Sequence, residues 1–308
     1  MEKSVVSSSG TELSNSEVVA NFTVGEIAVT SFTNGNTTLS QGFHQGMATM
    51  KISIATKVFF QGAMLNPNTG EESLMRDDLR VNNLIPTTSP YGDGSTCEAS
   101  VFNTTGNDAI VDWVWIELRD KDNSASVSYG TSALLQRDGD IVATDGVSNI
   151  EIEIGFDNYY VAIKHRNHLS VMSSSVYNLN ESVTVINFTD ATAQITYGSN
   201  AQTTFGMPSG MVAMWAGDVN NDGIIQYSGT NPDTPVILSA VLNDIGNFLN
   251  FPTFAVSGYL DIDVDANGSA QYSGTNPDVP YILQNVLAHP GNFLNFSTYQ
   301  IVEQMPNN

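Results

Sequence analysis

The chain has 308 residues, and its 32 Asp and Glu against 10 Lys and Arg give a formal charge of −22. That balance excludes a surface able to neutralise a phosphate backbone, and it repels anionic membranes. One cysteine, Cys97, leaves no intramolecular disulfide framework, and no apolar run is long enough for a membrane-spanning helix.

"MEKSVVSSSG" has no apolar signal core, so a signal peptide is expected to be absent or already removed. "VANFTVGEIAVTSF" and "TTLSQGFHQ" alternate apolar and polar residues around "TNGN", which predicts a hairpin. Residues 1–50 are read as a hairpin segment for assembly or docking. A lone hairpin is marginal in water and needs a partner sheet.

Residues 51–210 are read as a β-sandwich. "MKISIATKVFFQGAM" is a strand candidate, and "RVNNLIPTTSPYGDGSTCEAS" reads as a long loop. "AIVDWVWIELRD", "SVSYGTSALLQRDGD", "IEIEIGFDNYYVAIKHRNHLSVM" and "ESVTVINFTDATAQITYG" follow as short strands punctuated by turns. In "VDWVWIELR", Val114, Ile116 and Leu118 share one face, and Trp113 and Trp115 share the other with Glu117 and Arg119. The two tryptophans are candidates for a sugar-stacking platform; the competing expectation packs them under the N-terminal hairpin or another subunit. On a strand, His165 and His168 would point to opposite faces and could not share an ion. No nucleophile elbow or phosphate-binding glycine loop occurs, so no catalytic residue and no enzyme is expected.

Residues 211–308 hold a duplication with a period of 45 residues: Gln226–Phe251 and Gln271–Phe296 agree at 19 of 26 positions. Each copy runs from an acidic loop through "YSGTNPD" and a short helical run to "GNFLNF". Neither copy can bury its helix face alone, so the two should pack together. Asp218, Asn220 and Asp222 alternate ahead of Gly223, as do Asp263, Asp265 and Asn267 ahead of Gly268. Alternating oxygen side chains before a turn glycine are the ligand logic of an EF-hand loop, and hard oxygen donors favour Ca²⁺. The backbone carbonyls of Ile224 and Ser269 and the side chains of Gln226 and Gln271 fall at the next ligand positions. No carboxylate stands at the usual closing position; Asp233 and Asp278, four residues later, are expected to ligate and also to cap the helices. Two calcium ions are expected, serving as staples in a chain without disulfides.

The duplicated loop and helix resemble the dockerin type of calcium module. "QYSGTNPD…IL" resembles a variant at the C-termini of secreted Bacteroidetes proteins, often labelled haemagglutinin-like. "LMRDDLR", "LIPTTSPYGDG", "SALLQRDGDIV" and "YYVAIKHRNHLSVM" resemble that family's β-rich domain. In place of the family's N-D-R-D-P-I-L run, this sequence has Pro235 and Val279–Pro280, one carboxylate fewer per loop. The resemblance implies a non-catalytic secreted or cell-surface protein for adhesion or extracellular assembly, with a protein or glycan receptor. A carbohydrate-binding module, a self-polymerising fibre subunit, or a dockerin held by a cohesin-like partner are the alternatives.

Overall fold

A computed structural model describes residues 50–306 in full, and the backbone of residues 9–14, 19–24, 31–34 and 37–40. Strands β1 (Ser9–Ser14) and β2 (Val19–Val24) pair antiparallel, as do β3 (Ser31–Asn34) and β4 (Thr37–Ser40), where Asn34 faces Thr37 across the expected hairpin. The assembly role read for residues 1–50 rests on side chains outside the described residues.

The chain is mainly β. Nine strands form one sheet: β5 (Ile52–Lys57), β6 (Ile110–Asp120), β7 (Val127–Gln136), β8 (Asp140–Val142), β9 (Ile150–Ile152), β10 (Asp157–Lys164), β11 (Val171–Met172), β12 (Tyr177–Leu179) and β13 (Thr184–Asn187). The order is β11-β10-β6-β7-β8-β5-β13, with β12 also on β10 and β9 also on β5. All pairs are antiparallel except β13 with β5. A bond from Ser53 N to Asn180 O at 3.3 Å, just past β12, brings the far side of the path back to β5.

The alternation in β5 buries Ile52 and Ile54; β6 is buried along nearly its whole length, and its Val114, Ile116 and Leu118 join the same apolar core. The strand read through "MKISIATKVFFQGAM" stops at Lys57; Gln61–Met64 forms a single helical turn, α1. A second short helix, α2 (Asp78–Val81), leads into the long loop.

Strands β14 (Gln202–Thr203) and β15 (Ala213–Met214) pair before the duplicated region. There β16 (Ile224–Gln226), α3 (Thr234–Asn243) and β17 (Ala255–Ser257) recur as β18 (Ser269–Gln271), α4 (Val279–Ala288) and β19 (Gln300–Val302). Every one of these bounds repeats at +45. Pairing is exchanged between copies: β16 pairs with β19, and β17 with β18. Ile237 and Val241 of α3 share a second core with Ile282 and Val286 of α4. The two cores interlock, because Leu169 belongs to the second and Ala266 to the first.

Gly62 shows how close the contact is. A Cβ there would stand 2.2 Å from Val264 O, so the helical turn can lie on the second acidic loop only with a bare Cα.

Candidate metal centre

Each loop is wound around its first aspartate. Asp218 accepts N–H bonds from Asp222 (3.0 Å) and Gly223 (3.0 Å), and Asp263 accepts them from Asn267 (3.1 Å) and Gly268 (2.8 Å). Gly223 and Gly268 take φ of 78° and 87°, the left-handed turn that the spacing anticipates. Asn220 Oδ1 and Asn267 Oδ1 accept from Asp222 N (3.1 Å) and Ser269 N (2.8 Å).

Asp233 and Asp278 stand at the N-termini of α3 and α4, but neither makes a side-chain capping bond. Their carboxylates turn back to the loops. Asp233 accepts from Val219 N (3.0 Å) and Gln226 N (2.8 Å), and Asp278 from Val264 N (2.7 Å) and Gln271 N (2.7 Å). The expected helix caps are therefore loop staples. The physical reason is their αR backbone, whereas a capping residue takes extended angles.

Gln226 and Gln271, expected as ligands, are used otherwise. Gln226 donates from Nε2 to Thr298 O (2.9 Å) and accepts from Asn231 N (3.0 Å). Gln271 does the same with Thr253 O (2.6 Å) and Asn276 N (3.1 Å). Both ends of each amide hold the following turn. Ile224 and Ser269 open β16 and β18, beside their loops.

In the second loop Asp263, Asp265 and Asp278 converge: each offers a carboxylate oxygen, and these lie within 4.8 Å of one another. All three are buried, and Asp265 Oδ1 has no hydrogen-bond partner among the described residues. A buried orphan oxygen is costly unless something cationic faces it. Burial, with repulsion from Asp265, lifts the Asp263 carboxyl to about 7; burial, with repulsion from Asp263 and Asp265, lifts Asp278 to about 8. The first loop is more open. Asp218 and Asp233 are buried and each is raised to about 7, chiefly by burial, while Asp222 is exposed. Asp222 instead meets Asn220 Nδ2 (3.2 Å) and Asn231 Nδ2. These all-oxygen donor sets fit a hard divalent cation.

Asp265→Asn separates a ligand from a structural residue. It removes a charge that repels Asp263 and Asp278, so the chelated protein should melt no lower than the parent. Calcium affinity at one site should fall by about tenfold or more, which is about 1.4 kcal/mol or more. Titration calorimetry and melting curves of the same samples check both signs; a variant destabilised with and without calcium assigns Asp265 to structure alone.

The residues that hold the second loop in place were not singled out from sequence. Arg76 Nη2 donates to Asp265 O (2.5 Å), and Asn167 Nδ2 to Asp261 O (3.0 Å) and Asp263 O (2.7 Å). Arg166 donates to Leu260 O and lies 4.4 Å from the Tyr259 ring centroid. Behind them Asp112, at a register slip between Ile110 and Asp112, accepts from Arg166 Nη2 (3.1 Å) and the Tyr259 hydroxyl (2.6 Å). Despite burial, Arg166 and His165 hold the Asp112 carboxyl at about 2.

The histidine geometry also differs from expectation. β10 ends at Lys164, so His165 and His168 lie in a loop rather than on opposite faces of a strand, and their Nδ1 atoms are 2.9 Å apart. Gly62 N–H donates to His168 Nε2 (3.1 Å), which places the His168 proton on Nδ1. His165 then accepts on Nδ1 and donates from Nε2 to Asp112 (3.1 Å). Burial holds both rings below the ordinary histidine range, neutral, with every ring nitrogen bonded within the protein.

Trp113 cannot serve as a sugar platform. It is fully buried, donates from Nε1 to Pro86 O (2.8 Å), and lies under the long loop. Trp115 is half-buried, and Arg119 on the same face reaches Pro306 O (2.8 Å). No protein-family model, no curated protein and no solved structure matches the chain.

Proposed function

We propose that the chain is a non-catalytic secreted or cell-surface protein for adhesion or extracellular assembly, rigidified by two calcium ions. On this reading the nine-stranded sheet is a sandwich-type domain and residues 211–308 form a dockerin-like module. The observation that carries it is Asp265 Oδ1, buried without a hydrogen-bond partner among the described residues where three carboxylates converge. The same loop architecture 45 residues earlier, at Asp218–Asp233, supports the other, more open site. Native mass spectrometry of protein equilibrated with calcium should count two ions, one lost in Asp263→Ala and the other in Asp218→Ala. A count of zero removes the calcium reading.

The dockerin alternative, held by a cohesin-like partner, has its own support. Phe248 and Phe293 sit at equivalent places in the two "GNFLNF" turns and are 84% and 83% exposed. Exposed apolar tips repeated in both copies suit a protein partner. Pull-down from the native secretome, with and without chelator, tests it.

A further inference from the structure

The two acidic loops agree in sequence but not in surroundings. The sheet domain covers the second: Leu84 and Asn82 crowd Gly268, and Arg76 and Asn167 hold its carbonyls. Among the described residues, the first loop lines an open cleft of about 580 Å³ together with residues of the sheet domain. Trp115, Tyr91 and Lys164 line it from the sheet domain, and Asp222, Glu303 and Asp261 from the duplicated region.

The aromatic wall is built with care. The indole of Trp115 lies across Gly130, where a Cβ would come within 2.2 Å of its ring. Its Nε1 donates to Glu117 Oε1 (3.2 Å), which Lys164 Nζ also meets at 3.2 Å. The Tyr91 ring stands beside it, centroids 6.0 Å apart. Glu303 is fixed by Ser170 N, which donates to its Oε2 at 2.9 Å. An indole and a tilted phenol ring lining one cleft of this volume with fixed hydrogen-bonding groups match the chemistry of a sugar ring: one apolar face and a rim of hydroxyls. The surplus of carboxylates in the cleft disfavours an anionic ligand.

We infer that this cleft binds a neutral sugar residue, its ring against Trp115 and its hydroxyls on Lys164, Glu303 and Asp222. This makes the glycan receptor of the proposed adhesive function specific, and it rests on that reading only in making adhesion the use of the site. Trp115, not Trp113, is the platform. The first loop supplies a wall of the same cleft, so loss of calcium should weaken sugar binding by loosening Asp222.

The test is an array of neutral mono- and disaccharides screened with the calcium-loaded full chain. The best is then titrated by quenching of tryptophan fluorescence. Binding should weaken about tenfold in Trp115→Ala, the size of one aromatic contact. Glu303→Gln, which keeps the acceptor for Ser170 N, should also weaken it. Melting curves and ion counts on the same variants show whether each is folded. No saccharide bound at millimolar concentration, or binding unchanged in both folded variants, overturns the inference. Two ions counted with no sugar bound defeats this site and leaves the calcium reading standing; sugar bound to a chain that takes up no ion does the reverse.

Discussion

Chelation should lower the melting temperature by more than ten degrees at pH 8, with a smaller drop near pH 7. Each ion bound only to the native state, at free calcium a thousand times its Kd, adds about 4 kcal/mol, so two add about 8. At roughly 2–4 °C per kcal/mol for a domain of this size, the shift is large. Its pH dependence follows from the carboxyls. Asp218, Asp233 and Asp263 are raised to about 7 and Asp278 to about 8, against an ordinary 3.8. Without calcium, the folded chain therefore holds protons that the unfolded chain has released. That stabilisation is complete below about pH 4 and is lost as pH rises through 7 to 8. The loaded protein has a cation in place of those protons and should hold its stability over the same range. His165 and His168 act with the opposite sign: held neutral by burial, they favour the folded state above 6.5 and cost stability as pH falls below it. Calorimetric scans between pH 7 and 9, with calcium and with chelator, isolate the carboxyls. Identical melting with and without chelator at pH 8 defeats the staple role.

Replacing Asp112 by Ala should be the most damaging single change in the sheet domain, at about 3–5 kcal/mol. The side chain is fully buried and accepts from Arg166, His165, Tyr259 and the backbone of Trp113. Its removal leaves a guanidinium, held at 5% side-chain exposure, with only the distant, exposed Asp261 carboxylate at 3.9 Å to face it. Arg166 is also the group that grips Leu260 O, so the second acidic loop should loosen with it. Denaturant melts should show the loss, and limited proteolysis should open the stretch between the sheet domain and residue 261 first. Arg166→Met together with Asp112→Ala should recover part of the stability, because an apolar replacement leaves no orphaned charge. A double variant no better than Asp112→Ala would assign the damage to the other donors.

The acidic loops were legible because their logic is local: alternate oxygen side chains and a turn glycine within six residues, written twice. The carboxylates Asp233 and Asp278 were legible as partners of those loops but not as staples, since that depends on the αR backbone before each helix. The grip was not legible. Arg76 reaches Asp265 across 189 residues, and Tyr259 reaches Asp112 across 147. A signal was present all the same. In a chain with 32 carboxylates, the five arginines, 76, 80, 119, 137 and 166, each stand in a pair with a carboxylate, and none is exposed. Scarce guanidinium groups, with their planar forks, were kept for the interior. The two tryptophans divide for a non-local reason: the 82–98 loop lies over Trp113 and accepts from its Nε1, while Trp115 lines the cleft.

The exchange of strands between the two copies sets an order in time. On a chain emerging from the ribosome or a secretion pore N-terminus first, β17 is already out when β18 arrives, so the second acidic loop can close at once. The strand that closes the first loop must wait. That strand, β19, ends at Val302, and Gln226 also waits for Thr298. The earlier-written loop is thus the later one to close, and a chain stalled or cut between residues 290 and 298 would carry one finished loop and one open one. On the calcium reading proposed above, ion counting reads out such an intermediate.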